Sequence, residues 1–264
     1  MARILAITNQ KGGVGKTTTG VNLAASLAAA KQRVLLVDLD PQGNATMGSG
    51  IDKRTLKATV YQVLLGEATL ADVRVRATNG DPAGAYDVVP ANRELAGAEV
   101  EMVDMAHRET RLKDAIAAHA EEYDFVLIDC PPALNLLTVN GLTAAHAVMI
   151  PMQCEYYALE GLSDLVQTVK KVRAHLNPGL EIEGLLRTMF DPRNTLAQQV
   201  SQQLLDHFGD KVYRTVIPRN IRLAEAPSHG LPVMHFDRAS KGAQAYIALA
   251  GEMLNRNPLA ATPL

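Results

Sequence analysis

Nine residues near the amino terminus, Gln10-Lys11-Gly12-Gly13-Val14-Gly15-Lys16-Thr17-Thr18, have the makings of a phosphate cradle. Glycines let the backbone turn tightly enough for successive N–H groups to face one anion, and a helix starting where the turn ends adds its positive pole. At this spacing Lys16 reaches the β- and γ-phosphates of a nucleotide, and the Thr17 hydroxyl ligates Mg2+. The ordinary G-x-x-x-x-G-K-[ST] pattern has glycine at its first position. This chain has Gln10 there and carries a second lysine, Lys11. Two further segments run from apolar residues into acids: Val34-Leu35-Leu36-Val37-Asp38-Leu39-Asp40-Pro41-Gln42-Gly43-Asn44 and Phe125-Val126-Leu127-Ile128-Asp129-Cys130-Pro131-Pro132. Asp129 suits the Mg2+-side carboxylate that follows an apolar strand, acting through a metal-bound water. Asp38 and Asp40 form a second acidic pair, one of which could orient an attacking water. Asp-Pro-Gln-Gly is also good turn chemistry, so capping a turn is the lesser alternative for the pair.

These groups meet only if their strands are parallel, because a parallel sheet gathers all its strand C-termini on one edge. The pattern supports that arrangement. Short apolar runs at 4–8, 33–37, 87–89, 125–128, 147–151, 182–189 and 212–217 alternate with helical patterns at 17–30, 108–121, 136–145, 161–176, 196–208 and 240–255. Alternation of this kind predicts βαβ units. The expected fold is therefore α/β: a single-domain P-loop NTPase fold with a twisted, mostly parallel sheet and helices on both faces. Residues 1–256 read as that one domain and 257–264, with two prolines, as a frayed C-terminal tail. The stretch 48–82, broken by Gly, Asp and Thr, reads as surface helices and not as a second domain.

Composition narrows the function. The chain has 264 residues, 47% of them hydrophobic, which excludes a disordered or low-complexity chain. Lys and Arg number 26 against 28 Asp and Glu, a net charge of −2, so this is no uniformly basic nucleic-acid coat. Eight basic and five acidic residues between Gly184 and Ala245 leave that segment at +3, a bias that a solvated face would also explain. Two cysteines, Cys130 and Cys154, exclude a secreted disulfide scaffold and read as buried small hydrophobes. No apolar stretch reaches the roughly 18 residues of a membrane span. Residues 1–5 lead straight into the phosphate loop, so a cytoplasmic protein without a signal peptide is expected. The seven histidines form no ligand pair, and no structural metal is expected.

The set Lys11-Gly12-Gly13-Val14-Gly15-Lys16-Thr17-Thr18, Asp38 to Asn44 and Ile128-Asp129-Cys130-Pro131-Pro132 resembles the deviant-Walker ATPases, and among them the chromosomal ParA/Soj partition proteins. The likeness continues through Gln153-Cys154-Glu155-Tyr156-Tyr157 and Val216-Ile217-Pro218-Arg219-Asn220 to Glu225-Ala226-Pro227-Ser228-His229-Gly230, and covers nearly the whole chain. The resemblance implies an Mg2+-dependent ATPase in which ATP joins two protomers into a sandwich homodimer. Lys11 would cross to the partner's phosphates and offset transition-state charge as an arginine finger does. Gly12 would lie at the interface, where a side chain obstructs closure. Gly13, Val14, Gly15 and Thr18 would complete the phosphate loop, Lys16 would hold phosphate, Thr17 and Asp129 would serve Mg2+, and Asp40 would position the hydrolytic water. Pro218 and Asn220 match the segment bordering adenine.

The same resemblance implies sequence-blind DNA binding by the ATP dimer, with Arg193 and Arg222 at the DNA-contacting positions. It further implies a ParB-type centromere-binding partner that stimulates hydrolysis, and a nucleoid-associated location in the cytoplasm. The short chain, with no N-terminal DNA-reading domain, favours the chromosomal or short partition type. The rival reading is a MinD-like membrane-associated ATPase that positions cell division. It needs a basic amphipathic C-terminal helix, and 243–254 is Ala/Gly/Tyr-rich with one base following, so no membrane partner is expected. An iron-protein relative would need cluster cysteines at a spacing that Cys130 and Cys154 lack. Arg187, which interrupts the apolar run Leu185–Met189, has no assignment from the sequence.

Overall fold

A computed structural model describes residues 2–77 and 84–256. Its strands are β1 (Arg3–Ile7), β2 (Val34–Asp38), β3 (Val75–Ala77), β4 (Tyr86–Val89), β5 (Phe125–Asp129), β6 (Ala147–Gln153), β7 (Glu181–Phe190) and β8 (Val212–Pro218). They form one sheet in the order β3-β4-β2-β5-β1-β6-β7-β8, parallel throughout except for the β3–β4 pair. The expected tail, residues 257–264, lies outside the described residues.

Alternation along each strand divides the interior into two layers. Ile4 and Ala6, Leu35 and Val37, and Val126 and Ile128 face one core, whereas Leu5 and Ile7, Val34 and Leu36, and Phe125 and Leu127 face the other. The second layer is closed by the helix Lys16–Ala29 and the last helix, Lys241–Arg256. Tyr246, Leu249 and Met253 of the last helix are fully buried, and the Tyr246 and Thr19 hydroxyls meet at 3.1 Å. Each such side chain contributes about 1.5–3 kcal/mol by leaving water. The opposite layer is covered by Leu136–Ala144, Ala158–His175 and Thr195–Phe208, with shorter helices beside them.

The stretch 48–82 departs partly from expectation. Two short helices, Val60–Leu65 and Leu70–Val73, start at capping boxes (Thr59 with Gln62, Thr69 with Asp72) and bury Val60, Leu64 and Leu70. They lead into β3, an antiparallel edge strand that three residues are too few to announce by alternation. The single helix expected over 108–121 is Arg111–Ala117 followed by a 3-10 turn, Ala120–Glu122, with a turn after His107, at φ 57°, ahead of it.

Arg187 gains a role here. It is 8% exposed on β7, and its guanidinium donates to Ser201 Oγ at 2.9 Å, to the Tyr213 carbonyl at 2.8 Å and to the Arg214 carbonyl at 3.2 Å. One planar group thus ties β7 to β8 and to the helix Thr195–Phe208. Truncation leaves buried carbonyls unpaired. Arg187→Ala should therefore cost about 3 kcal/mol, on the order of 10 °C in Tm. A thermal melt within 2 °C of the parent would refute the tie.

Candidate nucleotide site

Register decides which residues can meet. In the paired strands β1 and β5, Ile7 is aligned with Asp129; in β2 and β5, Asp38 is aligned with Asp129. The phosphate loop leaves β1 at that same level, so the three sequence signals converge on one edge.

The loop is built as its composition requires. Gly13 and Gly15 adopt φ 73° and 87°, the left-handed region that costs glycine nothing. Gly15 precedes the helix Lys16–Ala29, whose N-terminus carries no side-chain cap. Its first N–H groups and positive pole therefore face outward to an anion. The Asn9 amide donates to the Pro151 carbonyl at 2.8 Å, and its oxygen accepts from the Lys11 N–H at 2.9 Å, which fixes the loop's start against β6. Lys16, 7% exposed, turns its ammonium back onto the Lys11 carbonyl at 3.0 Å. Burial lowers its pKa, with Asp129 as the main opposing influence.

Asp129 is fully buried, and neither carboxylate oxygen has a hydrogen-bond partner. Burial drives its pKa well up, and the Asp38 charge adds to this; the Thr17 hydroxyl lies close enough to temper the shift without closing a hydrogen bond. An orphaned carboxylate beside a threonine hydroxyl and a phosphate cradle is the donor set a divalent cation takes. The residues fit Mg2+.

Asp38 and Asp40 differ. Asp38 is fully buried and accepts from the Thr46 N–H at 2.8 Å, the Thr46 hydroxyl at 2.7 Å and the Asp40 N–H at 3.2 Å. Burial still pushes its pKa up to about 6. It organises the following turn and is not free to orient water. Asp40 is half-buried on the open edge; one of its oxygens accepts from the Gln42 N–H at 2.9 Å. The turn-capping chemistry is therefore present, with the second oxygen in reserve.

Lys11 is exposed and points away from its own loop, to Glu155 on the turn after β6, at 2.5 Å. Nothing lies within 4 Å of a Cβ added at Gly12, so nothing inside this chain demands glycine there.

Beside the loop, a cleft of about 330 Å3 runs between the ends of β7 and β8. Pro218 and Asn220 line it, as do Thr18, Thr188, Met189 and Tyr246. The last three went unread in the sequence. Met189 holds a left-handed φ of 48°, which no residue-type signal announces.

Arg193 and Arg222 follow the ends of β7 and β8. Both are exposed, and both already have partners. Arg193 forms a two-pronged pair with Asp191 at 2.8 and 2.9 Å, which holds the Asp191 carboxyl near 2. Arg222 pairs with Glu225 at 2.7 Å and Asp237 at 3.2 Å. Cys130 and Cys154 are buried, and burial raises both thiol pKa values, that of Cys154 to about 11.

A parallel sheet with a glycine loop ahead of an uncapped helix and a carboxylate on the neighbouring strand defines a P-loop ATPase. An "AAA domain" family model matches residues 2–182. The sporulation initiation inhibitor protein Soj of Bacillus subtilis is 55% identical over 253 residues, covering 96% of this chain and 98% of that protein. The chromosome partitioning protein ParA of Caulobacter vibrioides is 52% identical over 256 residues, covering 96% and 94%. Among solved structures, a cobyrinic acid a,c-diamide synthase from Mycobacterium smegmatis with bound ATP analog and magnesium is 40% identical, with a TM-score of 0.83 over 97% of this chain and 95% of that one. The chain belongs to the ParA/Soj family of chromosome-partitioning ATPases.

The orphaned charge of Asp129 makes a prediction. Its raised pKa means that the folded state holds the proton to higher pH than the unfolded chain, so stability falls as pH rises through the folded value. Asp129→Asn should therefore raise the Tm of the nucleotide-free protein by about 2–4 °C for each kcal/mol relieved, more at pH 8 than at pH 5. It should also weaken the Mg2+ dependence of nucleotide binding. A variant less stable at pH 8 would show that the carboxylate has a partner after all.

Proposed function

We propose that this chain is an ATP-switched DNA-segregation ATPase that binds ATP with Mg2+, pairs with a second copy around the nucleotides and grips DNA without regard to sequence. The observation that carries the reading is the contrast between the two loop lysines. Lys16 is buried and turned into its own cradle, whereas Lys11 is exposed and turned out of it. A lysine turned out of its own phosphate site is available to another.

In this reading Lys16 and the N–H groups of Gly13, Val14, Gly15, Lys16, Thr17 and Thr18 hold the phosphates. Thr17 holds Mg2+ directly and Asp129 holds it through water; the ion neutralises charge on the phosphates when bound. The free oxygen of Asp40 orients the attacking water. Pro218 and Asn220 border the adenine in the cleft beside the loop. Lys11 exchanges Glu155 for the partner's phosphates, and Gly12 leaves room for the approach, which the empty space around it in one protomer supports.

Arg193 and Arg222 contact DNA phosphates, each giving up a carboxylate in exchange. Arg219 is exposed at the same edge and lowers Asp191 further, so it belongs to the same electropositive region. Phosphate contacts without base readout make binding steeply salt-dependent, and pairing doubles the patch despite a net charge of −2. A ParB-type partner would stimulate hydrolysis and release DNA, which gives the protein a nucleoid-associated place in the cytoplasm. The reading of residues 1–256 as one ATPase domain belongs to the same proposal. Against the MinD-like alternative stands the last helix, whose apolar face is buried on the phosphate-loop helix.

Asp40→Ala, incubated with ATP·Mg2+, ADP or no nucleotide, should bind random-sequence duplex DNA only with ATP. Its affinity should fall at least tenfold between 50 and 200 mM salt, and its turnover should drop at least a hundredfold. Binding to anionic liposomes and not to DNA would hand the protein to the membrane branch. Arg193→Ala combined with Arg222→Ala should lose DNA at least tenfold while still dimerising with ATP by light scattering; unchanged DNA affinity would move the patch elsewhere.

A further inference from the structure

We infer that Thr188 is a positioning residue for the phosphate loop: it holds the Val14 carbonyl and so aims the Gly15 N–H at the nucleotide phosphates. The inference rests on the nucleotide-site reading above and adds to it a residue outside the motif, 174 positions from Val14 in the chain. Thr188 sits on β7 opposite Gln153 of β6 and is 2% exposed. Its hydroxyl donates to the Val14 carbonyl at 2.8 Å in a buried contact.

Peptide planarity turns that contact into an orientation. In a trans peptide the carbonyl of one residue and the N–H of the next point in opposite directions. Fixing the Val14 carbonyl toward β7 therefore aims the Gly15 N–H away from the sheet, into the concave side of the loop. The loop needs such a restraint. Gly12 and Gly13 have open space on all sides of a would-be Cβ, and both Gly13 and Gly15 are at positive φ, where glycine backbones move most freely. The two ends of the loop are tied by Asn9 and by the return of Lys16 to the Lys11 carbonyl. Thr188 holds the middle, and its methyl group stands where a Cβ added at Gly15 would meet it at 3.8 Å.

Thr188 is itself held in place. The neighbouring Met189 keeps a left-handed backbone, and its sulfur accepts from the Gln153 amide at 2.9 Å, which pins the end of β7 to β6. Thr188 and Met189 also line the cleft beside the loop. The residues that bound the cleft are thus the ones that set the loop's peptide plane. A preset loop does not have to be ordered during binding, and that saving appears as affinity.

Two substitutions separate the hydroxyl from the methyl. Thr188→Val keeps the shape but loses the donor; Thr188→Ser keeps the donor and loses the methyl. The full-length protein is titrated with Mg·ADP and with Mg·ATP, and steady-state hydrolysis is measured alongside. Thr188→Val should bind both nucleotides about 3- to 10-fold more weakly, the equivalent of one net hydrogen bond. KM should rise by the same factor with kcat near the parent's, because the loop grips the phosphates equally in ground and transition states. Thr188→Ser should stay within about twofold of the parent. Both variants can lose thermal stability, so the nucleotide affinity of the folded fraction is the deciding readout. Parent-like affinity in Thr188→Val, with Lys16→Ala abolishing binding, overturns the positioning role and leaves the site intact. Parent-like affinity in Lys16→Ala overturns the site reading and the positioning role together.

Discussion

Three adjacent parallel strands end at one level, and the chemistry of the molecule depends on that register. β5 sits between β1 and β2, aligned so that Ile7, Asp38 and Asp129 lie side by side. A slip of one residue would turn every side chain of a strand to the other layer, sending Val126 and Ile128 into the core that Phe125 and Leu127 now fill. Two apolar layers of this size cannot tolerate such a change, so the hydrophobic pattern holds the register. The register in turn forces two carboxylates into a dry position next to a glycine loop. Asp38 is reconciled to that position by Thr46 and the Asp40 N–H. Asp129 accepts no hydrogen bond, and the fold carries it as a cost that a proton, the nearby Lys16 ammonium or a bound cation relieves. Stability held back at one residue is the form that readiness for a ligand takes here.

The cations show the complementary state. Lys16 leans on a carbonyl of its own loop, Lys11 on Glu155, Arg193 on Asp191, and Arg222 on Glu225 and Asp237. In the proposed reading, each positive group assigned to a phosphate already holds an internal oxygen. Ligand binding is then an exchange of oxygens around fixed cations and needs little movement of backbone. Exchange has a lower net yield than fresh pairing, because the displaced carboxylate must be rehydrated while the new contact forms. It also gives selectivity: a chloride or a single surface carboxylate gains little by displacing an equal partner, whereas a polyphosphate or a DNA strand brings several oxygens at once.

Much of this was legible in the residues. The strands that carry the site announced themselves as runs such as Val34-Leu35-Leu36-Val37 because buried parallel strands must be apolar on both faces. The phosphate loop was legible because few sequences besides a glycine-rich turn with lysine can surround an anion with N–H groups. Other features were hidden for physical reasons. β3 is an edge strand of three residues, too short to carry a period. Arg187 interrupts an apolar run, and its value depends on carbonyls of β8 that only the folded sheet brings near. Thr188 and Met189 are ordinary strand residues by type. Their importance comes from a sheet neighbour and a backbone angle, and neither is written in a side chain. Residue type alone left Asp38 and Asp40 equivalent; the family resemblance singled out Asp40, and burial with the Thr46 hydrogen bonds to Asp38 separates the two in the structure.

The two loop lysines draw these points together. Lys11 and Glu155 are each about half exposed, and ion pairs in that setting contribute about 0–1 kcal/mol. Releasing Lys11 is therefore cheap, and a second phosphate site of modest strength suffices to take it. Lys16 is buried beside Asp129, and moving it would strand one charge or the other in low dielectric. Lys16 must stay; Lys11 is free to leave. In a single protomer this makes Lys11 superfluous to its own cradle, since the loop already has a resident ammonium and an uncapped helix. In the proposed reading, a second cation at the phosphates comes from outside the protomer, from the same edge of another copy, where an exposed lysine lies next to a glycine with open space around it.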